Sequence, residues 1–451
     1  MIARTSRISV VVLMTLAALH LGALDADFGG TLDNRTSPAI GQLTGTPQFT
    51  IDQWDRLSLW GAIHFGKTLT ITGAGSYTFT LAMPYLFNPD TLKIDLLLLP
   101  VPSVSLEMGR FAFSDPTGHV LLHTLDGAQL EVRLPFAVFN AGAGYSGFLL
   151  KPVSTIVMSL TDDAGLSDDS VFFGAPRLIE TFTATFPQLL LRQDLTLSVF
   201  LQQDLRPDGS FIPEGEEQQS VSGLFGGRLD SEYFGVGLSG PIAGPLYYNG
   251  FFYFNYGRTL SYVADAGSGT GYSWQYRPIT AFFGGFDLRC YLETFLSTRI
   301  ELSGSFASGD PDNTTFLEGN TEENSTLFAS ISPDMTGMVF SPQWANIVLI
   351  EGSYSMKPFS GGGVPWSNLQ VMLKALAFLR PTLGAISLPV LDPVSTQVYL
   401  GTEADLIVNF RVTSELGLAV SVGGFLPNAA AFTGPSALPA LAGRFDLSFS
   451  F

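Results

Sequence analysis

Cysteine occurs once in 451 residues, as Cys290, so no disulfide can form within the chain. Histidine is nearly as scarce, at 4 copies, and Lys and Arg together number only 22 against 40 Asp and Glu. The first scarcity removes disulfide-stapled folds and Cys-based metal sites. The shortage of basic residues removes the clustered cations that nucleic-acid phosphates require. Charged residues make up 14% of the chain, where a soluble protein carries roughly 25%. Membrane helices do not take up the difference. Beyond the N-terminus no apolar run approaches the ~18 residues a spanning helix needs. What is present is apolar: 46% of residues, with 48 Gly and 37 Phe, and a positive mean hydropathy. In hydrocarbon every backbone polar group must be paired internally, so a closed β-barrel is the spanning structure left.

The stretch MIARTSRISVVVLMTLAALHLGAL sets Arg4 and Arg7 before an apolar segment from Ile8 to Leu21, closed by Gly22 and Ala23. This is the layout of a secretory signal peptide, with cleavage expected near Ala23 or, alternatively, Ala26. Residues 1–23 are therefore assigned to the signal and 24–451 to a single outer-membrane barrel domain. Within it, 26–50 is either the first strand or a plug. Loss of Arg4 and Arg7 takes the net charge from −18 to −20. Many acids fall in loop-like stretches, 204–217 and 310–323, and read as solvated loops.

Read backward from the C-terminus, short alternating segments are joined by turns that are tight and long by turns. GTEADLIVNF (401–410) meets LGLAVSVGGF (416–425) across a few polar residues, and a long Pro/Ala/Gly stretch follows. ITAFFGGFDLRCYL (279–292) and TRIELSGSFASG (298–309) are joined by ETFLS, and a long polar stretch comes next. Tight periplasmic turns and longer external loops are the asymmetry of an outer-membrane barrel. The expected fold is all-β: a transmembrane antiparallel up-and-down β-barrel of about 18 strands, with 16 as the alternative. LQVMLKALAFLR (369–380) reads as either an amphipathic helix or a strand, and KPFSGGGVPWSN (357–368) is long for a periplasmic turn.

Strand period sorts side chains into faces. Lys93 and Asp95, Arg110, Glu131 and Arg133, Asp287 and Arg289, Arg299 and Glu301, Glu403 and Asp405, and Arg411 are the expected pore-lining residues. A lumen carrying both signs of charge describes either a water-filled pore or a salt-bridged plug. The aromatic run PLYYNGFFYFNYGR (245–258) is apolar on both phases, as an interface girdle or a sugar-stacking platform would be. His119 and His123 sit in a loop-like GHVLLH without matching metal ligands, and nothing selects a catalytic serine. Asp310 and Asp312 in SGDPDNTT read either as calcium ligands or as turn residues. No enzyme activity, cofactor or metal site is expected.

Three stretches carry a family resemblance: LGTEADLIVNFRVTSELGLAVSVGGFLP (400–427), GSFASGDPDN (304–313), and GRFAFSDPTG with LDGAQLEVR (109–133). Together the chain resembles porin-like outer-membrane proteins that include the alginate-export family. The resemblance implies a large barrel for diffusive passage of a solute. The excess of acids departs from an exporter of an anionic polysaccharide and suits neutral or cationic solutes. The leading expectation is an integral protein of the bacterial outer membrane, both termini periplasmic, passing small hydrophilic solutes or ions. A scaffold for adhesive acidic loops and a fatty-acid uptake channel are the alternatives. The chain ends RFDLSFSF, placing Phe445, Leu447, Phe449 and Phe451 on one face. That pattern resembles the recognition signal of the outer-membrane assembly machinery, an expected partner together with the lipid bilayer.

Overall fold

A computed structural model describes residues 25–41, 49–322, 324–361 and 366–451. The expected signal segment lies outside the described residues. The described residues form one closed antiparallel sheet of 18 strands with its connecting loops. In chain order they are β1 (Asp25–Ile40), β2 (Phe49–Phe65), β3 (Leu69–Thr80), β4 (Leu86–Pro100), β5 (Ser103–Ser114) and β6 (Leu122–Leu134). There follow β7 (Ala137–Tyr145), β8 (Arg177–Leu190), β9 (Gln193–Asp204), β10 (Asp230–Ala243), β11 (Leu246–Ala264) and β12 (Tyr272–Leu292). The last are β13 (Thr298–Ala307), β14 (Ile347–Met356), β15 (Leu369–Leu379), β16 (Tyr399–Arg411), β17 (Leu416–Pro427) and β18 (Ala440–Ser450). The segment at 369–380 is thus a strand. Residues 25–40 are part of the wall rather than a plug. The count is 18 rather than 16.

Each strand pairs with its sequence neighbours, and β18 returns to β1 from Thr31↔Ser450 to Ile40↔Leu441. Closure removes the sheet edge that would otherwise leave unpaired amides in hydrocarbon. The seam extends through the last residue: Phe451 and Gly30 exchange both backbone hydrogen bonds, each at 3.0 Å. The ring of Phe451 lies over Gly30, where a Cβ would come within 2.6 Å of the ring and 2.8 Å of the Ser58 carbonyl. Glycine at 30 is what lets three strands approach there.

Register separates two faces. Phe234, Val236 and Leu238 on β10 and Phe252, Phe254 and Tyr256 on β11 point outward and are exposed, the phase that meets lipid. Both described ends of the barrel lie on the side of the short turns, such as 101–102, 135–136 and 244–245. Long loops sit at the other end: 115–121, 146–176, 205–229, 308–346, 380–398 and 428–439. The connection 357–368, although long, falls on the short-turn side.

The long loops fold inward. Phe328, Ile331 and Phe340 of loop 308–346 are fully buried, packed against Phe283, Phe378 and Phe425 of the wall. Loop 146–176 carries the only α-helix of the described residues, α1 (Leu160–Ser167), opened by a capping box between Ser159 and Asp162. The aromatic run at 245–258 follows from this. Its outward phase faces lipid, while Phe251 and Tyr253 pack inward on the loops, so both phases are apolar.

Gly30→Val is expected to destabilise the barrel by about 1–3 kcal/mol through overpacking at the seam. The measurement is the temperature at which the folded, fast-migrating form is lost on a semi-native gel. An unchanged temperature would remove Gly30 from closure.

Candidate functional site

The inside of the barrel is divided. From β5 to β17 its inward side chains are largely covered by the folded-in loops. Along β1–β4 the inward phase stays solvated, Gly29 and Ser76 being its buried exceptions, and on β18 only Ala440 is buried. Water therefore has its most extended contact with the wall along β18 and β1–β4.

The charges on this arc are cross-paired. Asp446 of β18 accepts from Arg35 Nε at 2.6 Å and Arg444 Nε at 2.8 Å. Arg56 reaches Asp90 at 2.8 Å. Lys93 sits between Glu107 at 2.5 Å and Asp95 at 3.3 Å. On the next strands Arg133 pairs with Glu131 at 2.5 Å, close to the short-turn rim. Across the lumen Arg289 lies between Asp287 at 3.3 Å and Glu301 at 2.8 Å, and Glu301 also holds Arg299. Lys374 bonds Glu351 at 2.8 Å. Arg411 faces inward near the mouth and donates to the Ser414 carbonyl at 2.7 Å.

Three of the expected lining residues are placed otherwise. Arg110 falls on the outward phase with Met108 and Ala112, and makes a bidentate pair with Asp126 at 2.9 and 2.7 Å. Its guanidinium also reaches the Phe148 carbonyl of loop 146–176 at 3.1 Å, so the charge is neutralised at the loop rim. Glu403 points inward but is fully buried, accepting the backbone N–H groups of Met338 (2.6 Å), Val339 (3.0 Å) and Phe340 (2.7 Å). Asp405, beside it, is 5% exposed under the same segment. Glu403 anchors a strap, and neither carboxylate meets solvent.

The other loops are anchored in the same manner, by residues whose part sequence reasoning missed. Asp115 accepts from the amides of Val120 and Leu121 at 2.9 Å and from Tyr253 Oη of the facing wall at 2.8 Å. This carries loop 115–121 into the lumen, where His119 Nδ1 and Asp334 Oδ2 lie 2.5 Å apart. Arg177, buried, pairs with Asp162 of α1 at 2.6 Å, and Arg206 joins Asp162 at 2.8 Å. Burial alone would raise the Asp162 carboxyl, but the two arginines hold it below the usual carboxylate range. Arg380 is also buried, and its guanidinium donates to the carbonyls of Gln397 at 2.8 Å and Ser395 at 2.5 Å in loop 380–398. Glu318 accepts from Gly227 N at 3.2 Å and Leu160 N at 3.3 Å, joining three loops at one carboxyl group. Burial pushes it up to about 8, only partly offset by those two amides. Asp310 and Asp312 receive loop amides, from Thr326 and Thr321 among others, which supports the turn reading. Burial and the neighbouring Asp312 raise Asp310 to about 6.

The architecture is that of an outer-membrane-type barrel with its loops packed inside. No protein-family model matches the chain, and no curated protein does. Solved structures are similar over nearly its whole length. Pseudomonas aeruginosa OccK11 (OpdR) is 13% identical, over 95% of this chain and 96% of that one, with a TM-score of 0.57. P. aeruginosa OccK5 (OpdH) is 13% identical over 94% and 98%, with a TM-score of 0.53. P. aeruginosa OpdK with vanillate is 11% identical over 95% and 98%, with a TM-score of 0.55. At these identities the likeness establishes the fold.

Two outcomes test the anchoring. Glu403→Gln leaves one acceptor for three amides and should release the 336–340 strap at a cost of at least about 2 kcal/mol. Faster proteolysis within 333–340 would register it; unchanged proteolysis would deny the anchor. Glu318 binds its proton more tightly folded than unfolded, where an ordinary value near 4.5 applies. Its contribution is complete below about 4.5 and is lost as pH rises to about 8. Loop protection from protease should fall across that window in the wild type, and less in Glu318→Gln.

Proposed function

We propose that the protein is a channel of the bacterial outer membrane for passive diffusion of small hydrophilic solutes, neutral or cationic in preference to anionic. The observation that carries this is the solvated arc of β18 and β1–β4, whose cations each bind at least one carboxylate. A polar inner wall beneath an apolar exterior suits water and solute passage, and paired charges give no run of free cations to draw anions. The likeness to the outer membrane protein OpdK supports the setting. The vanillate bound to that protein is an anion, and the pairing here argues against the same choice of solute. It argues equally against alginate, the cargo suggested by the resemblance of 109–133, 304–313 and 400–427 to alginate-export barrels.

In this reading the signal segment 1–23 is removed on export, and both termini lie in the periplasm on the short-turn side. Phe445, Leu447 and Phe449 share the outward phase of β18, and with Phe451 would be read by the assembly machinery. Lys93, Asp95, Glu131, Arg133, Asp287, Arg289, Arg299, Glu301 and Arg411 line the water-filled space. The length of loop 308–346 goes into lumenal packing, which favours a channel over an adhesive scaffold. The chemistry is positional and needs no catalytic group.

Purified protein in a planar bilayer should conduct and should pass potassium in preference to chloride. Silent bilayers from well-folded protein would overturn the reading. Asp446→Asn removes the negative charge shared by Arg35 and Arg444 and should shift the reversal potential toward chloride; no shift would place the ion route away from β18.

A further inference from the structure

A cavity of about 930 Å³ lies inside the barrel between the roof made by loop 115–121 and the short-turn ends of β9–β12. Its wall carries Tyr247 and Tyr291, both on the inward phase, with ring centroids 5.7 Å apart and planes at 79°. Tyrosines near a barrel rim are ordinarily lipid-interface anchors, but their phase turns these two away from lipid. Nor are they core residues, since Tyr247 is 42% and Tyr291 39% exposed. Two half-exposed rings set nearly at right angles form an apolar corner in a water-filled space.

Polar groups stand directly beside this corner. Asp287 accepts from Asn249 Nδ2 at 3.2 Å, and Arg289 bridges Asp287 and Glu301. With Arg299 also on Glu301 the charges cancel, yet a carboxylate retains spare lone pairs and a guanidinium spare N–H directions. His119 of the roof closes the cavity from above. Ring faces next to charge-compensated donors and acceptors match one solute chemistry well. A neutral, ring-shaped polyol has C–H faces to lay on tyrosine and a rim of hydroxyls that donate and accept. Of the two arginines on the lining, Arg289 is taken up by Asp287 and Glu301, so an aromatic carboxylate would have to turn to Arg192, away from the tyrosine corner's own hydrogen-bonding groups. A simple cation would have to displace Arg289 from Asp287.

We propose that this corner is a binding subsite for neutral sugars on their way through the barrel, with Tyr247 and Tyr291 as the stacking platform and Asn249, Asp287 and Arg289 as hydrogen-bonding partners. The proposal rests on the channel reading and names the solute class for it.

The test uses the full-length protein in a planar bilayer with maltose and benzoate as probes. Maltose should interrupt the open-channel current, and benzoate should not. The double variant Tyr247→Ala with Tyr291→Ala should still conduct but need roughly tenfold more maltose for the same block. The corresponding double Phe variant, which keeps both rings, should behave as the wild type. A conducting wild type that maltose leaves uninterrupted overturns the subsite while sparing the channel. Block that is unchanged in the alanine variant, or caused by benzoate in place of maltose, also overturns it. If the protein never conducts, the channel reading fails. The subsite is then decided by titration calorimetry of maltose into folded, detergent-solubilised protein. A saturable heat abolished in the alanine variant supports it, and no heat overturns it. The semi-native gel shift establishes that the alanine variant is folded.

Discussion

A closed sheet of eighteen strands encloses more volume than its inward side chains can fill, and the interior is organised by that excess. The long loops supply the missing matter. Their apolar residues, Phe328, Ile331, Phe340 and Trp344 among them, make with the wall a core that lies inside the barrel. The hydrophobic effect thus works in two directions on one sheet. Lipid takes the outward phase, and the folded loops take much of the inward one. The arc from β18 to β4 is the longest stretch of inner wall left to water.

Irregular loops bring unpaired amides with them, and burying these without partners would cost about 1–3 kcal/mol each. Carboxylates of the wall and of the loops themselves meet that demand. Glu403 accepts three amides of one strap, Asp115 two amides and a phenol, and Glu318 one amide from each of two loops. Several of the acids behind the large negative charge therefore do structural duty indoors. The lumen's charge cannot be inferred by counting acids along the chain. What governs it is which acids remain beside cations in the solvated space.

Much of this architecture was legible in the residues. The outward phase needs only to be apolar, so the alternation and the turn lengths exposed the strand number and the sidedness of the loops. Pairs two residues apart, such as Arg289 with Asp287 and Arg299 with Glu301, were visible for the same reason. Cross-strand pairs were not, because they require register: Arg35 and Asp446 meet only through closure. Glu403 looked like a lining residue by phase, and nothing local marks it as the acceptor for amides some 65 residues away. Arg110 falls on the outward phase, and its partner Asp126 is found only through the pairing of β5 with β6. Segments 245–258 and 369–380 were ambiguous because a strand covered by lipid on one face and by loops on the other loses its alternation.

The guanidinium of Arg380 holds loop 380–398 by its main-chain carbonyls alone. Such a grip is indifferent to side-chain identity. Exposed positions such as Leu383, Val394 and Val398 can therefore be substituted while the path of the loop is kept, whereas Thr382, Ile386, Ser387 and Val390 are tied to the interior by their side chains. One arginine at a strand end thereby leaves the exposed part of the loop free in sequence while its backbone stays in place.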